Sequence, residues 1–175
     1  MRVDSPKKMG LPARAFVTML RLAPSGIQNR MWKWWYQKLA KANDDSGFRF
    51  MNYGFEDGNG PELEDEDEAN RMFIQLYSMN IRGVDLEGKQ VLEVGSGRGG
   101  GASWIAKTHN PTKLTGVDFS AEAVGHCQSW YADQSNLEFI EGNAQALPFE
   151  DATFDVVYNV ESSHCYGDMG AFVEQ

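Results

Sequence analysis

Cysteine and long apolar runs are scarce in this sequence, and each scarcity excludes a class of protein. The only cysteines among 175 residues are Cys127 and Cys165, which form no metal-type cluster, so we expect neither a disulfide framework nor a structural zinc. No apolar run approaches the roughly 20 residues of a membrane span. The N-terminus has no secretory hydrophobic core followed by a cleavage site. These absences predict a cytoplasmic protein without a metal site.

Basic residues are also few, and they are unevenly distributed. The chain has 16 Lys and Arg against 25 Asp and Glu, a net charge of −9, which argues against nucleic acid as a partner because phosphate neutralisation needs a basic surface. Residues 1–41 hold nine Lys or Arg against Asp4 alone, whereas residues 56–68 hold eight acids and no base. Residues 1–41 are therefore positively charged, and residues 56–68 are negatively charged.

The basic part contains an aromatic, cationic stretch at 27–41. Its apolar residues recur near helical spacing with basic residues between them, as at Ile27, Met31 and Trp34. This pattern predicts a helix that packs over a ligand cleft as a lid. The alternative is a helix that lies on an anionic membrane surface as a peripheral contact.

Residues 1–84 are interpreted as an N-terminal helical extension. Within it, the acidic residues 56–68 predict a solvated loop, and the last acids favour the N-terminus of a helix over 66–80 through the helix dipole. The expected inward face of that helix consists of Met72, Phe73, Leu76 and Tyr77.

From position 85 onward, strand and helix patterns alternate. Such alternation predicts an α/β fold with a doubly wound, mostly parallel sheet, in which ligands bind at the carboxyl ends of the strands. Ser120 is the expected N-cap of the second helix of this region. The predicted strands are 91–95, 113–118, 137–141 and 154–160, and the predicted helices between them are 99–108 and 120–132.

The first strand runs into the glycine-rich loop of VLEVGSGRGGG at 91–101. Gly95, Gly97 and Gly99 permit positive φ and bring backbone N–H groups against a ligand, as in nucleotide-binding folds. The dinucleotide-binding pattern G-x-G-x-x-G is also satisfied, by Gly95, Gly97 and Gly100, so a nicotinamide cofactor is an alternative. The acidic Glu93 favours a cationic ligand such as S-adenosylmethionine by Coulomb attraction, unless it serves to order the loop through backbone hydrogen bonds.

The second strand ends in an acid and an aromatic residue. Asp118 lies 19 residues after Gly99, close to the offset of about 20 residues at which an acid meets the ribose hydroxyls of a nucleotide. Phe119 is positioned to lie against an adenine face, or alternatively to fill the core beneath the next helix. Both residues extend the predicted nucleoside site.

Four motifs in order carry a resemblance to a known family. They are VLEVGSGRGGG at 91–101, GVDFS at 116–120, GNAQALPFEDATFD at 142–155 and VVYNVESSHCY at 156–166. Together they resemble class I S-adenosylmethionine-dependent methyltransferases with a Rossmann-like fold. With NYGFEDG at 52–58, the sequence is similar to the phthiotriol and phenolphthiotriol dimycocerosate O-methyltransferase type.

The resemblance implies a cofactor site residue by residue. Gly95, Ser96 and Gly97 would cradle the methionyl part of the cofactor, with Glu93 beneath the loop, and Asp118 and Phe119 would hold the ribose and flank the adenine. Asn143 and Ala144 stand where the family commonly has an acid followed by alanine, so an amide replaces the group that reads the adenine amino group. Asn159 would contact the cofactor near its methionine end.

The implied reaction is transfer of a methyl group to the hydroxyl of a hydrophobic small molecule or lipid. An alcohol must lose its proton, so a general base beyond the fourth strand would help. His164 is the first candidate because histidine exchanges protons near neutral pH, and Glu161 is the second. A histidine that anchors the loop is the competing interpretation.

The resemblance also implies a longer domain, because seven strands are typical of the family and the pattern here supplies only the first four, within residues 85–175. The sequence therefore predicts a fold that is incomplete at its C-terminus. Two alternatives to an active methyltransferase stay open. One is a catalytically silent module that binds S-adenosylmethionine, and the other is an NAD(P)-dependent oxidoreductase.

Overall fold

The computed structural model describes residues 48–175, which form one four-stranded sheet with helices packed against it. The predicted basic helix at 27–41, with its proposed lid or membrane role, lies outside the described residues. None of the helices among residues 48–175 is long and apolar enough to cross a membrane. The strands are β1 (Gln90–Val94), β2 (Lys113–Asp118), β3 (Leu137–Glu141) and β4 (Val156–Tyr158), and the helices are α1 (Arg71–Asn80), α2 (Gly100–Thr108), α3 (Ala121–Trp130) and α4 (Met169–Val173).

All neighbouring strands pair in parallel, in the order β3-β2-β1-β4. The chain reverses its direction of winding at β1, so the carboxyl ends of β1 and β4 diverge into a crevice where ligands of such folds bind. The apolar residues of β1 are fully buried, as expected for a central parallel strand with both faces covered. The predicted parallel α/β fold is therefore confirmed.

The bounds of β2 and β3 match the predicted strands, and Ser120 caps α3 as expected, its hydroxyl accepting the amide of Ala123 at 3.3 Å. Strand β4 is shorter than the predicted 154–160. Its ladder to β1 ends at Tyr158 because the next side chain, Asn159, donates to the Val94 carbonyl at 2.7 Å in place of a backbone amide.

Helix α1 begins at Arg71, after a short 3₁₀ turn at Glu68–Asn70, and not at residue 66. The predicted inward face is partly wrong, because Met72 is 49% exposed whereas Ile74 is fully buried. Ile74, Tyr77 and Ile81 follow the three-to-four-residue spacing of the face that meets α2. There the α2 residue Gly101 lies directly against the Tyr77 ring, with no room for a side chain between them.

Candidate functional site

The loop between β1 and α2 has the conformation that its glycines predict. Gly95, Gly97 and Gly99 have φ angles of 79°, 54° and 74°. A side chain at Gly95 would collide with Ser162, and a Cβ at Gly99 would lie 2.7 Å from the Phe139 ring. The loop therefore needs glycine both for its backbone angles and for close approach of its neighbours.

Beyond this loop lies a cavity of about 630 Å³, within the roughly 300–1,000 Å³ typical of small-molecule sites. It is bounded by the carboxyl ends of the four strands and by the segment 49–52, which crosses the glycine loop. The structure brings most of the predicted site residues to its wall: Gly95, Ser96, Gly97, Asp118, Phe119, Asn143, Ala144 and Glu161. Glu93, Asn159 and His164 are not part of the wall.

Asp118 connects the glycine loop to the start of α3. One carboxylate oxygen accepts the Gly97 amide at 2.9 Å, and the other accepts the Ser120 amide at 2.9 Å. Burial raises the pKa of the Asp118 carboxyl, an effect that these amide hydrogen bonds oppose. The Phe119 amide also hydrogen-bonds this carboxylate, so three of its roughly four lone-pair sites are occupied and about one is left for an approaching hydroxyl. Asp118 can therefore order the loop and accept a ligand hydroxyl at the same time.

Glu93 lies beneath the loop but faces away from the cavity. It is fully buried, and its two oxygens accept the hydroxyls of Tyr77 at 2.9 Å and Tyr158 at 3.1 Å. Burial raises the pKa of Glu93 to about 7, although the two tyrosine hydrogen bonds act in the opposite direction. The Coulomb attraction of a cationic cofactor by Glu93 stays a prediction, whereas the alternative of hydrogen bonds to the loop backbone is not observed, because both oxygens accept from tyrosine hydroxyls. Glu93 instead links α1 to β1 and β4.

The raised pKa of Glu93 predicts that the free energy of unfolding falls as the pH rises. The folded-state pKa of Glu93, about 7, exceeds the ordinary 4.5, so the stabilisation is complete below pH 4.5 and is lost as the pH passes 7. At 1.36 kcal/mol per unit the difference is about 3 kcal/mol. We expect the wild type to lose about that much unfolding free energy relative to Glu93→Gln, a neutral mimic, between pH 4.5 and pH 8.

Urea unfolding of both proteins at these two pH values measures the difference. Because every other titrating group is common to the two chains, subtracting one curve from the other isolates Glu93. Equal pH dependence in the two proteins would show that Glu93 keeps an ordinary pKa in the fold.

Asn159 belongs to a polar cluster on the far side of Gly95. Its amide nitrogen lies within 2.8 Å of the Val94 carbonyl and of the hydroxyls of Ser162 and Tyr166. Those hydroxyls lie 2.7 Å from each other, and both residues line the cavity. Sequence reasoning missed Ser162 and Tyr166, because only the fold brings the turn after β4 against the glycine loop. Asn159 positions these two hydroxyls, and its predicted contact with a cofactor stays a prediction.

Asn143 lies at the predicted place, after β3 and on the cavity wall. Its side-chain oxygen accepts the Gln145 amide at 3.0 Å, which closes a tight turn. If this oxygen accepts a hydrogen bond from an adenine amino group, as expected, it must use its second lone pair. The side-chain nitrogen adds a donor that an acid at this position would not have.

Of the two candidate bases, His164 lies within the 3₁₀ turn Ser163–Cys165, and Glu161 lies two residues before that turn. Ser162 and Cys165, three residues apart and thus on one side of such a turn, both line the cavity. His164 falls on another side of the turn and is exposed, so the structure does not bring the first candidate to the cavity.

Glu161, the second candidate, does line the cavity. Its φ of 51° is uncommon for a residue with a side chain, and such backbone strain clusters at functional sites. One Glu161 oxygen accepts a hydrogen bond from the backbone amide of Tyr53 at 2.7 Å. This bond joins the residue after segment 49–52 to the turn after β4. The other oxygen has no partner among the hydrogen bonds of residues 48–175.

Comparison with known proteins agrees with this geometry. Residues 91–175 match the family described as methyltransferase domain. The chain is 36% identical over 93% of its length to the phthiotriol/phenolphthiotriol dimycocerosates methyltransferase of Mycobacterium tuberculosis, covering 61% of that protein. It is 42% identical over 80% of its length to the fatty-acid O-methyltransferase of Mycolicibacterium smegmatis, covering 52% of that protein. The chain therefore spans about half to three fifths of these relatives.

Among solved structures, the fold is similar to that of geranyl diphosphate methyltransferase in complex with S-adenosylmethionine. The TM-score is 0.55 at 20% identity, over 67% of this chain and 53% of that one. At this identity the likeness concerns the fold alone. It confirms the predicted fold, a parallel sheet flanked by helices.

Proposed function

We propose that this chain, whose residues 91–175 match the methyltransferase domain family, transfers a methyl group from S-adenosylmethionine to a hydroxyl of a hydrophobic, lipid-like molecule. The observation that carries the proposal is the meeting of three features in one cavity. These are the glycine loop, the carboxylate of Asp118 and the carboxylate of Glu161.

The charges on the cavity wall fit this cofactor. Asp118, Glu141 and Glu161 all line the cavity, and they favour a ligand with a sulfonium and an ammonium over a dinucleotide with an anionic pyrophosphate. Bound there, the cofactor supplies a methyl group already activated at sulfur, so the contribution of the protein is chiefly positioning. Asp118 would hold the ribose hydroxyls, Phe119 would flank the adenine, and Gly95, Ser96 and Gly97 would cradle the methionyl part.

Glu161 is the group best placed to accept the proton of a hydroxyl acceptor. It lies on the cavity wall, and its contact with the Tyr53 amide occupies one oxygen and leaves the other for the acceptor. A carboxylate held by a backbone amide keeps its orientation, which general base catalysis requires. In this proposal His164, which does not line the cavity, does not contact the acceptor.

An apolar acceptor is supported by the surface beside Glu161. Tyr53, whose backbone amide donates to Glu161 on the cavity wall, is 85% exposed. An exposed aromatic residue next to a cavity favours an apolar ligand. The relatives named above act, by their names, on phthiotriols and fatty acids, and both classes carry long alkyl chains.

Calorimetric titration with S-adenosylhomocysteine, with NADH as the control ligand, tests the cofactor. We expect saturable binding of S-adenosylhomocysteine alone. Transfer of labelled methyl from S-adenosylmethionine to a long-chain alcohol then tests the reaction. Binding of NADH alone would favour an oxidoreductase, and cofactor binding without transfer to any alcohol, phenol or fatty acid would favour a silent binding module.

A further inference from the structure

We infer that the hydroxyls of Ser162 and Tyr166 favour the positively charged sulfonium of S-adenosylmethionine over the neutral thioether of its product, S-adenosylhomocysteine. This inference rests on the proposed function and deepens it, because it names residues that distinguish the methyl donor from the product. Both residues line the cavity, and they belong to the turn after β4 and not to the glycine loop.

The two hydroxyl oxygens themselves lie at the end of β1. A Cβ on Gly95 would collide with Oγ of Ser162 and would lie 3.0 Å from Oη of Tyr166. The two oxygens are 2.7 Å apart. Since Gly95 is part of the cavity wall, the pair of hydroxyls meets the cavity beside the first glycine of the loop.

The hydrogen bonds within this cluster leave acceptor capacity on the hydroxyls. The Val94 carbonyl accepts from Asn159 at 2.7 Å and from Ser162 at 3.1 Å, which uses both of its lone pairs. The second amide hydrogen of Asn159 and the Tyr166 hydroxyl hydrogen then find acceptors within the pair itself. The two hydroxyl oxygens have more lone pairs than these two hydrogens fill, so the pair keeps a spare acceptor position.

This spare position gives the pair a negative side. Because partners inside the cluster take the hydroxyl hydrogens, the oxygens present their lone pairs to the cavity, and Asn159, behind them, is not part of the wall. Burial raises the pKa of the Tyr166 hydroxyl, so Tyr166 stays neutral at pH 7 and acts as a dipole. Dipoles fixed in this orientation attract a cation in the cavity.

The place of the pair on the wall favours the sulfonium as that cation. In the proposed site the ribose lies at Asp118 and the methionyl part at the glycine loop, and the cofactor sulfur joins these two parts. Ser162 directly follows Glu161, the proposed base, so the pair lies on the stretch of wall where the acceptor is expected. The sulfur is the part of the cofactor that must face the acceptor, because it carries the methyl group.

The reaction itself removes the charge that the pair attracts. Methyl transfer leaves the electron pair of the broken S–C bond on sulfur, which converts the sulfonium into a neutral thioether. The hydroxyl pair therefore attracts the methyl donor and not the product, which helps fresh S-adenosylmethionine to replace S-adenosylhomocysteine.

The test measures the affinities of S-adenosylmethionine and S-adenosylhomocysteine by calorimetry in the full 175-residue chain. The proteins are the wild type, Ser162→Ala and Tyr166→Phe, each variant lacking one hydroxyl of the pair. Ser163→Ala is the matched control, because it removes a hydroxyl from the next residue, which does not line the cavity. Thermal melting monitored by circular dichroism shows whether each variant is folded.

We expect each of the two variants to lower the preference for S-adenosylmethionine, taken as the ratio of the two dissociation constants, by about threefold to tenfold, the usual effect of one hydrogen bond. The loss should fall on S-adenosylmethionine, whereas Ser163→Ala should keep the wild-type ratio. If Tyr166→Phe does not fold, Ser162→Ala decides the matter.

Two results would overturn the inference and leave the proposed function standing. One is an equal loss for both ligands, which would assign the hydroxyls to a part that the two ligands share or to support of the loop. The other is an unchanged ratio in folded variants. A wild type that binds neither ligand would overturn the proposed function as well.

Discussion

Glu161→Gln is expected to lower the turnover of a long-chain alcohol by about 100-fold or more, the usual contribution of a general base. The amide has no basic oxygen to take the hydroxyl proton, but its carbonyl can still accept the Tyr53 amide that Glu161 accepts at 2.7 Å. The crossing segment should therefore stay in place. Rapid-mix measurement of labelled methyl transfer at saturating cofactor gives the turnover, and calorimetry should show unchanged affinity for S-adenosylhomocysteine.

The matched control is His164→Ala, because His164 lies three residues further along the same turn and is exposed. Its turnover should stay within about twofold of the wild type, as for other exposed positions away from a site. A large loss in His164→Ala together with a mild effect of Glu161→Gln would assign the proton transfer to the histidine.

The acceptor provides a second control. A fatty acid is already ionised at neutral pH, so its methylation needs no base. Glu161→Gln should therefore slow the reaction of an alcohol and not that of a fatty acid, where removing a negative charge from the wall would help the anion approach. Equal slowing of both acceptors would mean that Glu161 positions the crossing segment and does not remove a proton.

Asp118→Ala is expected to weaken binding of S-adenosylhomocysteine by roughly 30-fold or more. The variant loses the hydrogen bonds to the ribose, which involve an ionised group and are worth more than neutral ones. It also frees the amides of Gly97 and Ser120, which Asp118 accepts at 2.9 Å each, so the loop is less well ordered before binding. Calorimetric titration measures the affinity.

Two controls separate these causes. Asp133→Ala removes an exposed acid in the turn after α3, outside the cavity wall, and should leave the affinity unchanged. A ligand with 2′-deoxyribose should bind the wild type more weakly than S-adenosylhomocysteine, whereas Asp118→Ala should not distinguish the two ligands. If the variant still prefers the ligand with ribose, another residue binds the ribose hydroxyls, and the role of Asp118 is only to order the glycine loop.

The structural features predicted correctly are those that depend on residues close in sequence. The glycines of the loop and the Ser120 cap depend on backbone conformation within a few residues, and the spacing of the motif carries that information. Asp118 and Asn143 follow strands, and parallel strands place their carboxyl ends at one edge. The cavity wall was therefore largely predictable from strand ends.

The side-chain directions that depend on distant elements could not be predicted. Whether His164 or Glu161 faces the cavity depends on a 3₁₀ turn and on a left-handed residue, neither of which has a clear sequence signal. The orientation of Glu93 depends on Tyr77, 16 residues before it, and on Tyr158, 65 residues after it. Met72 was misplaced because the buried face of α1 is set by its packing against α2, where Tyr77 lies on Gly101.

The sequence by itself determined the parallel α/β fold, the glycine loop and the residues at the strand ends, because strand periodicity, glycine conformation and capping act over short stretches of chain. Packing between distant elements decided that Glu161 and not His164 lines the cavity. That outcome requires residue 53 and the turn after β4 to meet. Contacts between elements so far apart in the chain follow from packing, which has no local pattern in the sequence.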